Sequence, residues 1–504
     1  MSQDHHQRQQ HPLIASFLSE LSEPSVNLKQ DIDHPNYWTS NPSSLLTTSN
    51  IHSVSLGTGN RILESLLPAL ESAESEVIFV TCYWAQSDSL NRISDSLRKL
   101  SARNLAASTT SPNKTRVRIC FSSSGVWQKL SHPQSRQGKT YSPAEWSKTL
   151  GLPTPEELQG IDLQVKSVFL LPISIIHPKF VVVDRKCAFL PSCNVSWEEW
   201  LEGCVELSGD VVQQFVKFWE EFWKGVDDLE GLPANAGLEE SVTATIPSPS
   251  PSPALLTHLS LPTQHQHQQT PTLFLPSPHH RNPNFHPLPF QSPPPPPPTP
   301  LNPFFLLAFR SAKHKITIHT PNLTSQPAIE GLLAALERGV DVGITTSEDL
   351  QRIEQVVTAG TTTGRCIGDM TRRHGGMVEA RRKRLGQDGD GDVEAALPGL
   401  GRLSVAYYTP QSGSQSHEGR QAPPAAPTTS APVADEPVQS HFKLTLIDGE
   451  VAVFGSGNLD RASCFTSQEL GLAFFGRDFV QKFEEEALER VMGLGGRRRV
   501  VYQG

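Results

Sequence analysis

The chain has 504 residues, with 37% hydrophobic side chains, 42 prolines and a formal net charge of -9. This charge excludes a protein built around a globally basic surface for nucleic acid, although it does not exclude a single positive cleft. The length fits two or three domains or one bilobal unit, and the excess of proline favours a bilobal unit with disordered insertions.

The seven cysteines form an odd set without a CxxC pair, which predicts reduced thiols without a disulfide framework or a zinc site. The N-terminus lacks a basic segment followed by an uninterrupted apolar core, so we expect no secretory signal. No window approaches the roughly 20 apolar residues of a membrane span. We therefore predict a cytoplasmic protein without a transmembrane segment, whose contact with an anionic membrane, if any, is peripheral.

Stretches rich in Pro, Ser, His and Gln divide the chain, and such segments bury too little apolar surface to offset the entropy of ordering. Residues 1–54 are predicted to form a poorly ordered N-terminal arm with one short amphipathic helix near residues 13–21. Residues 231–300 are predicted to form a disordered linker. Two further insertions are predicted at about 360–400, partly ordered, and at 411–438.

Between these tracts one pattern of elements occurs twice, in residues 55–230 and 301–504. Apolar periodicity predicts the order helix, strand, helix, strand in each copy. The first copy has helices at 62–70 and 90–100 and strands at 77–82 and 116–121; the second has helices at 304–310 and 328–338 and strands at 315–320 and 340–345. Alternating strands and helices indicate an α/β fold of two pseudo-twofold-related units, each with a mixed, mostly parallel sheet flanked by helices.

Each copy then reaches a His-x-Lys-x4-Asp motif, HPKFVVVD at 177–184 and HFKLTLID at 441–448. In an extended segment, side chains two residues apart share a face, so each histidine and its lysine project into the same space. The aspartate follows its histidine by seven residues, an odd separation that points it to the opposite face and favours a structural role. Downstream, the two copies match again in a small-residue turn with asparagine (Ser192, Cys193, Asn194 and Gly455, Ser456, Gly457, Asn458) and in a later glutamate (Glu202 and Glu469).

A lone histidine beside a lysine on a strand is most often solvated surface, but matched copies of the whole pattern argue against coincidence. With its duplicated HxKxxxxD motif and Gly/Ser-rich turn, the sequence resembles the phospholipase D superfamily over about 55–230 and 301–493. The second copy, HFKLTLID followed by GSGN, matches the family pattern closely. The first departs from it, because PSCN stands where GSxN or GGxN is usual.

The resemblance implies an enzyme that acts on phosphodiesters through a phosphohistidine. It implies His177 as the nucleophile and His441 as the acid that protonates the leaving group and later activates water or an alcohol. The other implied site residues are Lys179, Lys443, Asn194 and Asn458 on the non-bridging oxygens, Glu202 and Glu469 on the far ring nitrogens of the histidines, Ser192 and Ser456 as hydroxyl donors near the phosphate, and Asp184 and Asp448 completing the motifs.

No metal or other cofactor is expected, because lysines and histidines already supply the positive charge that phosphoryl oxygens need. Glycerophospholipid is the first substrate expected, phosphatidyl transfer as in bacterial cardiolipin synthases the second, and nucleic acid the third. A non-catalytic lipid-binding scaffold that retains the fold is the alternative of a different class. The basic clusters 381–384 and 497–499 could approach anionic headgroups or nucleic acid, but a solvated face is the commoner outcome. The sequence does not predict the oligomeric state.

Overall fold

The chain forms two α/β units that are joined side by side through paired strands. The computed structural model describes residues 11–23, 36–107, 114–133, 135, 137–170, 175–223, 255–261, 269–277, 295–387, 399–411, 436–494 and 496–504. No helix within these ranges combines the length and the apolar character needed to cross a membrane.

The first unit is a mixed sheet with helices packed on it. Its strands are β1 (Leu46–Thr58), β2 (Glu76–Tyr83), β3 (Thr115–Ser123), β4 (Lys139–Tyr141), β5 (Ile161–Ser167), β6 (Phe180–Val183), β7 (Cys187–Pro191) and β8 (Trp200–Ser208). Its helices are α2 (Gly59–Glu71), α3 (Asp88–Ala107), α4 (Val126–Ser131), α5 (Pro143–Thr149) and α6 (Val211–Phe222), preceded by α1 (Pro12–Leu21) near the N-terminus. The strand order is β4-β5-β3-β2-β6-β7-β8-β1, in which β2, β3 and β5 are parallel.

The second unit repeats this arrangement. Its strands are β10 (Thr270–Ser277), β11 (Lys315–His319), β12 (Asp341–Thr346), β13 (Leu403–Tyr408), β15 (Leu444–Ile447), β16 (Val451–Gly455), β17 (Glu469–Phe475) and β18 (Arg498–Gln503), and the short strands β9 (Thr257–Ser260) and β14 (Gln439–Ser440) pair with the first sheet. Its helices are α7 (Leu301–Ser311), α8 (Gln326–Glu337), α9 (Arg352–Ala359), α10 (Thr363–Gln387), α11 (Arg461–Phe465) and α12 (Arg477–Phe483), the last continued by π-helical turns to Leu494. The order β18-β13-β12-β11-β15-β16-β17-β10 mirrors the first sheet.

Each unit begins with a strand that starts before the boundary predicted for that unit. The predicted arm 1–54 ends inside β1, and the predicted linker 231–300 contains β9 and β10. β10 carries Leu273, Phe274 and Leu275, which are all fully buried. Its apolar centre is too short to change the average composition of the surrounding Pro-rich tract, so a composition-based reading misses it.

Strand β1 links the two sheets. Its first residues, Leu46 to Ser49, pair with β10 of the second unit, and its remaining residues pair with β8 of the first. Between the sheets lies a core to which both units contribute, including Phe215 and Trp219 of α6 and Phe483 of α12. The two units therefore share one hydrophobic core, which fixes their relative position.

The N-terminal helix and the insertions have separate outcomes. Helix α1 covers the predicted amphipathic segment and packs Phe17 against Phe304 of α7, with ring centroids 5.4 Å apart. The predicted insertion 360–400 contains the long helix α10, while residues 388–398 lie outside the described residues. Most of the predicted insertion 411–438 also lies outside them, although Glu436 at its end binds Arg497 at 2.6 Å.

Candidate active site

The two motif histidines lie in extended segments immediately before β6 and β15, at the edge where β2 and β11 end. Each is held there by the backbone of the other unit. The amide of His177 donates to the carbonyl of Gln468 at 2.9 Å, and the amide of His441 donates to the carbonyl of Leu201 at 2.9 Å. The strands predicted at the motifs begin at the residue after each lysine. Contact between the two units positions both histidines.

The side chains of the histidines are paired crosswise with glutamates. Nδ1 of His177 lies 2.9 Å from Oε2 of Glu469, and Nδ1 of His441 lies 2.8 Å from Oε1 of Glu202. Each glutamate is the residue that the sequence singled out, but each serves the histidine of the opposite unit. The result is a single site that contains two His–Glu pairs, each completed only across the interface.

The serines of the small-residue turns hold the glutamates. Ser192 donates its hydroxyl to Glu202, and Ser456 donates to Oε2 of Glu469 at 2.5 Å. A third hydroxyl, on Ser463, donates to Oε1 of Glu469 at 2.7 Å. The two turn serines, predicted as donors near the phosphate, are thus engaged with glutamates: a buried carboxylate needs donors, and these hydroxyls supply them.

The two lysines are buried and differ in their contacts. Nζ of Lys179 donates to the carbonyl of His177 at 3.0 Å. Nζ of Lys443 donates to the carbonyl of His441 at 2.8 Å and also lies 2.9 Å from Nε2 of that histidine. The second motif therefore contains a direct lysine–imidazole contact for which the first motif has no counterpart among the described contacts.

Burial and neighbouring charges shift the pKa values of the histidines, the glutamates and Lys443. Burial lowers the pKa of His177, against the opposing effect of the Glu469 carboxylate. Burial, followed by the Lys443 ammonium, lowers the pKa of His441 to about 4. Burial also lowers the pKa of Lys443 to about 7, although Glu202 opposes this. Burial alone would raise the pKa of both glutamates, but their histidine partners and hydrogen bonds outweigh it and lower each pKa.

The hydrogen bonds and the directions of these pKa shifts fit neutral imidazoles beside ionised glutamates. Neutral imidazoles donate Nδ1–H to ionised glutamates, which leaves Nε2 as an acceptor on both rings. In His441 this acceptor faces the Lys443 ammonium. In His177 it has no hydrogen-bond partner among the described residues, and the side chain is 13% exposed, compared with 2% for His441.

The asparagines occupy the turn but make local contacts. Oδ1 of Asn194 accepts from the amide of Tyr83 at 3.3 Å. Nδ2 of Asn458 donates to Asp460 at 3.0 Å, while its buried Oδ1 has no hydrogen-bond partner in the part of the chain that is described. Asp460 and Ser463 were missed by the sequence reasoning. The Asp-x-x-Ser spacing gave a signal, because Asp460 caps α11 by accepting from the amide of Ser463.

The motif aspartates lie at the far ends of β6 and β15 and tie turns to the backbone. Asp184 accepts from the amides of residues 74, 75 and 76, and Asp448 accepts from those of residues 313, 314 and 315. Both aspartates have left-handed φ angles, 52° and 53°, a conformation that Asp adopts more readily than most residues. These contacts agree with the structural role expected for them.

The departure of PSCN from the family pattern has a steric explanation. In the second unit, a Cβ on Gly457 would lie 2.8 Å from Cδ2 of Leu301, the first residue of α7. In the first unit the large and small residues are exchanged. Cys193 occupies the position of Gly457, and Gly59, the first residue of α2, occupies that of Leu301; a Cβ on Gly59 would lie 3.0 Å from Cβ of Cys193. The turn tolerates cysteine because the facing helix begins with glycine.

Comparison with known proteins gives one family match, within the second unit. Residues 306–491 match the family described as "Cardiolipin synthase, PLD-like domain". No curated protein sequence matches the chain significantly.

Three solved structures are similar to parts or most of the chain. Phosphatidylserine synthase of Haemophilus influenzae Rd KW20 is 12% identical, with 90% of this chain and 89% of that chain covered and a TM-score of 0.48. Polyphosphate kinase from Porphyromonas gingivalis is 8% identical, with 87% and 50% covered and a TM-score of 0.40. The phospholipase D family member Nuc from Salmonella typhimurium is 16% identical, with 39% and 87% covered and a TM-score of 0.23.

The family match falls on the unit whose motif and turn, HFKLTLID and GSGN, follow the family pattern most closely. Within residues 306–491 it confirms the resemblance predicted from the motifs, because that part of the chain matches a phospholipase D-like domain.

Proposed function

We propose that this protein is a phosphodiesterase or phosphatidyltransferase of the phospholipase D type that acts on a glycerophospholipid through a phosphohistidine. The observation that carries the proposal is the crosswise pairing of His177 with Glu469 and of His441 with Glu202. Cleavage of a phosphodiester by double displacement needs one nucleophile and one acid–base group. The paired units supply one histidine for each role in a single site.

The first step joins His177 to phosphorus. Nε2 of His177 attacks with its lone pair, the N–P bond forms, and the P–O bond to the leaving group breaks. The leaving oxygen receives a proton from the pair formed by His441 and Lys443, whose Nε2 and Nζ lie 2.9 Å apart. The partial exposure of His177 and the free acceptor on its ring favour it as the nucleophile, whereas His441 is more deeply buried beside a proton source.

The second step releases the product. Nε2 of His441 removes a proton from water or from an alcohol, whose oxygen attacks phosphorus and displaces His177. The phosphoryl oxygens carry negative charge in both steps. The ammonium group of Lys179 stabilises it throughout, and that of Lys443 does so while it holds its proton. Glu202 and Glu469 keep Nδ1 protonated, so each ring presents Nε2 to the reaction.

The experiment that tests the proposal is a rapid-quench search for the intermediate. Purified protein is mixed with bis-p-nitrophenyl phosphate, and an acid-labile, base-stable phosphoryl group on His177 is expected, with greater accumulation in a His441→Asn background. An adduct on His441 would reverse the two roles. Absence of turnover by the wild-type protein would instead favour a non-catalytic scaffold.

A substrate panel distinguishes the expected classes. Vesicles of glycerophospholipid and single-stranded or duplex DNA are offered separately, and headgroup release is analysed with and without a primary alcohol. We expect lipid turnover, with part of the product diverted into the ester of the added alcohol. Preferential cleavage of DNA would replace the lipid substrate with nucleic acid while leaving the chemical mechanism in place.

A further inference from the structure

The most exposed large apolar side chains in the described part of the protein are Trp127 and Ile353, at 84% and 83%. They do not stand alone. Leu130, on the same short helix as Trp127, is 61% exposed, and Val356 and Val357, on the helix of Ile353, are 50% and 62% exposed. Contiguous exposed apolar groups of this kind mark surfaces that contact another molecule or a lipid phase.

The two helices occupy matching places in the two units. Helix α4, which carries Trp127, follows β3, and helix α9, which carries Ile353, follows β12. Strands β3 and β12 are the parallel neighbours of β2 and β11, and they end at the edge of the sheets where the motif histidines lie. The pseudo-twofold arrangement therefore places one apolar helix on each side of the active-site edge.

Electrostatic interactions and one hydrogen bond place both helices near the active-site edge. Lys129 of α4 acts electrostatically on Cys82, at the end of β2, and on Glu354 of α9. Nη1 of Arg461 donates to the carbonyl of Thr358 in α9 at 3.4 Å. Arg461 begins α11, three residues after Asn458. Helix α9 is thus attached to the small-residue turn of the second unit.

A third apolar group follows the corresponding turn of the first unit. Trp197 lies three residues after Asn194, is 48% exposed and contacts the ring of Tyr83 edge-on, with 6.1 Å between centroids. Tyr83 ends β2 and donates its amide to Asn194. The exposed indole therefore also belongs to the border of the site.

We propose that Trp127, Leu130, Trp197, Ile353, Val356 and Val357 form a docking rim that inserts into the boundary between headgroups and acyl chains of a phospholipid bilayer. This inference rests on the proposed lipid substrate and names the surface by which the enzyme reaches it. A phospholipid keeps its acyl chains in the bilayer, so the active-site edge must meet the membrane surface for the phosphate to reach His177. Indole rings and aliphatic groups beside a lysine suit that boundary.

The position of the rim also argues for a bilayer as its occupant. The apolar groups lie on both sides of the active-site edge, so a protein partner or a second copy that covered all of them would block the approach of substrate to His177. A fluid lipid surface can contact both sides and still deliver a headgroup between them. The rim residues make no contribution to the His–Glu pairs or the lysines, so docking and chemistry can be tested separately.

The test compares vesicle binding and turnover in matched variants of the full chain. The variant Trp127→Ser/Ile353→Ser is expected to bind vesicles of equal parts phosphatidylcholine and phosphatidylglycerol at least about tenfold more weakly in sedimentation, because two large apolar groups no longer enter the bilayer. Its turnover of vesicle lipid should fall in parallel, while its turnover of bis-p-nitrophenyl phosphate stays at the wild-type rate. Tryptophan fluorescence of the wild type should shift to shorter wavelength when vesicles are added, and the shift should be smaller in the variant that lacks Trp127.

The control is Leu105→Ser, which removes a side chain of 44% exposure at the far end of α3, away from the active-site edge. It should leave vesicle binding unchanged. Wild-type binding by the rim variant would overturn the proposal, as would rim-dependent self-association in the absence of lipid, which would assign the surface to a second copy. If the wild type does not turn over bis-p-nitrophenyl phosphate, the proposed chemistry is contradicted instead. Vesicle sedimentation would still test the rim.

Discussion

Glu469 of the second unit accepts a hydrogen bond from Nδ1 of His177 in the first unit at 2.9 Å, although 292 residues separate them in the chain. Ser456 and Ser463 hold the same carboxylate. The glutamate is thus fixed on one side by its own unit and directs the histidine of the other. Such a partner sets which ring nitrogen carries the proton without itself touching the substrate.

We predict that Glu469→Gln lowers kcat by about 10²–10⁴-fold, because an amide no longer stabilises the Nδ1–H tautomer or the charge that develops on the ring. The measurement is kcat for bis-p-nitrophenyl phosphate, together with thermal unfolding. Glu64→Gln is the control, because the carboxylate of Glu64 forms partly exposed ion pairs with Arg61 and Arg92 rather than a contact with a histidine, and it should keep the wild-type rate. A folded Glu469→Gln protein with undiminished kcat would contradict the tautomer role.

The exchange of large and small residues between the two turns predicts a non-additive pair of substitutions. Gly457→Cys should destabilise the protein by about 1–3 kcal/mol, because its Cβ would crowd Leu301. Leu301→Ala alone should cost about 2–5 kcal/mol through lost packing. The double variant should be more stable than the sum of the two predicts, by at least about 0.5 kcal/mol.

Urea denaturation of the four proteins measures this coupling. Gly343→Cys in β12 is the control, because a Cβ there meets no atom within 4 Å, and it should show no coupling with Leu301→Ala. Strict additivity of Gly457→Cys and Leu301→Ala would mean that the facing helix does not decide which residue the turn accepts.

Removal of one segment should disrupt folding, whereas replacement of another should leave stability unchanged. Removal of residues 270–277 takes away the buried side chains of β10 and its pairing with both β1 and β17, so cooperative unfolding should be lost. Replacement of residues 412–435 by a short Gly-Ser linker should leave the melting temperature near that of the wild type. This tract is poor in apolar residues, and the flanking Gln411 and Glu436 are already joined by a 2.9 Å hydrogen bond.

Differential scanning calorimetry of both variants checks this prediction. A large loss of stability in the 412–435 replacement would show that the tract contributes packing that its composition does not reveal. A normal transition without residues 270–277 would show that β1 and β17 can be held together without β10.

Stability should fall with acidification in part through His319. This histidine is 3% exposed, and burial lowers its pKa from 6.5 to about 3. As pH falls below 6.5 the unfolded chain takes up a proton that the folded protein refuses until about pH 3, so the unfolded state gains stability. The expected loss is about 1.4 kcal/mol per pH unit while the two states differ by one full proton.

The measurement is the free energy of unfolding in urea at several values between about pH 5 and 6.5, where most carboxylates remain ionised. His319→Gln should show a shallower slope than the wild type, and some slope should remain because the pKa of His441 is lowered as well. Equal slopes in the two proteins would mean that His319 is protonated or accessible in the folded state.

The sequence predicts many helices and most candidate site residues, because these depend on local spacing or on the repeat. Apolar periodicity locates helices such as α2 and α8, and the spacing from His177 to Lys179 is enough to place an imidazole and an ammonium in one space. Repetition also singled out Glu202 and Glu469, and the family resemblance implied that they are histidine partners. Their crosswise assignment did not, because it depends on how two units dock, which no local spacing encodes.

Other misses have different physical causes. Strand β10 was hidden because its buried centre is short and its surroundings are rich in proline. The resemblance implied the serines as donors near the phosphate, and only the fold shows that their hydroxyls donate to buried glutamates. Cys193 departs from the family pattern, and the sequence alone does not explain why. The explanation is its contact with Gly59, which lies 134 positions earlier in the chain.

The joining of both units in one chain has a consequence for the symmetry of the site. Two identical subunits that exchanged carboxylates in this way would be obliged to present identical histidines. Within one polypeptide the copies are free to diverge, and they have done so: His441 contacts the ammonium of Lys443 and is 2% exposed, whereas His177 lacks that contact and is 13% exposed. Covalent linkage thereby lets two matching histidines become non-equivalent, as the proposed division between a nucleophile and an acid–base group requires.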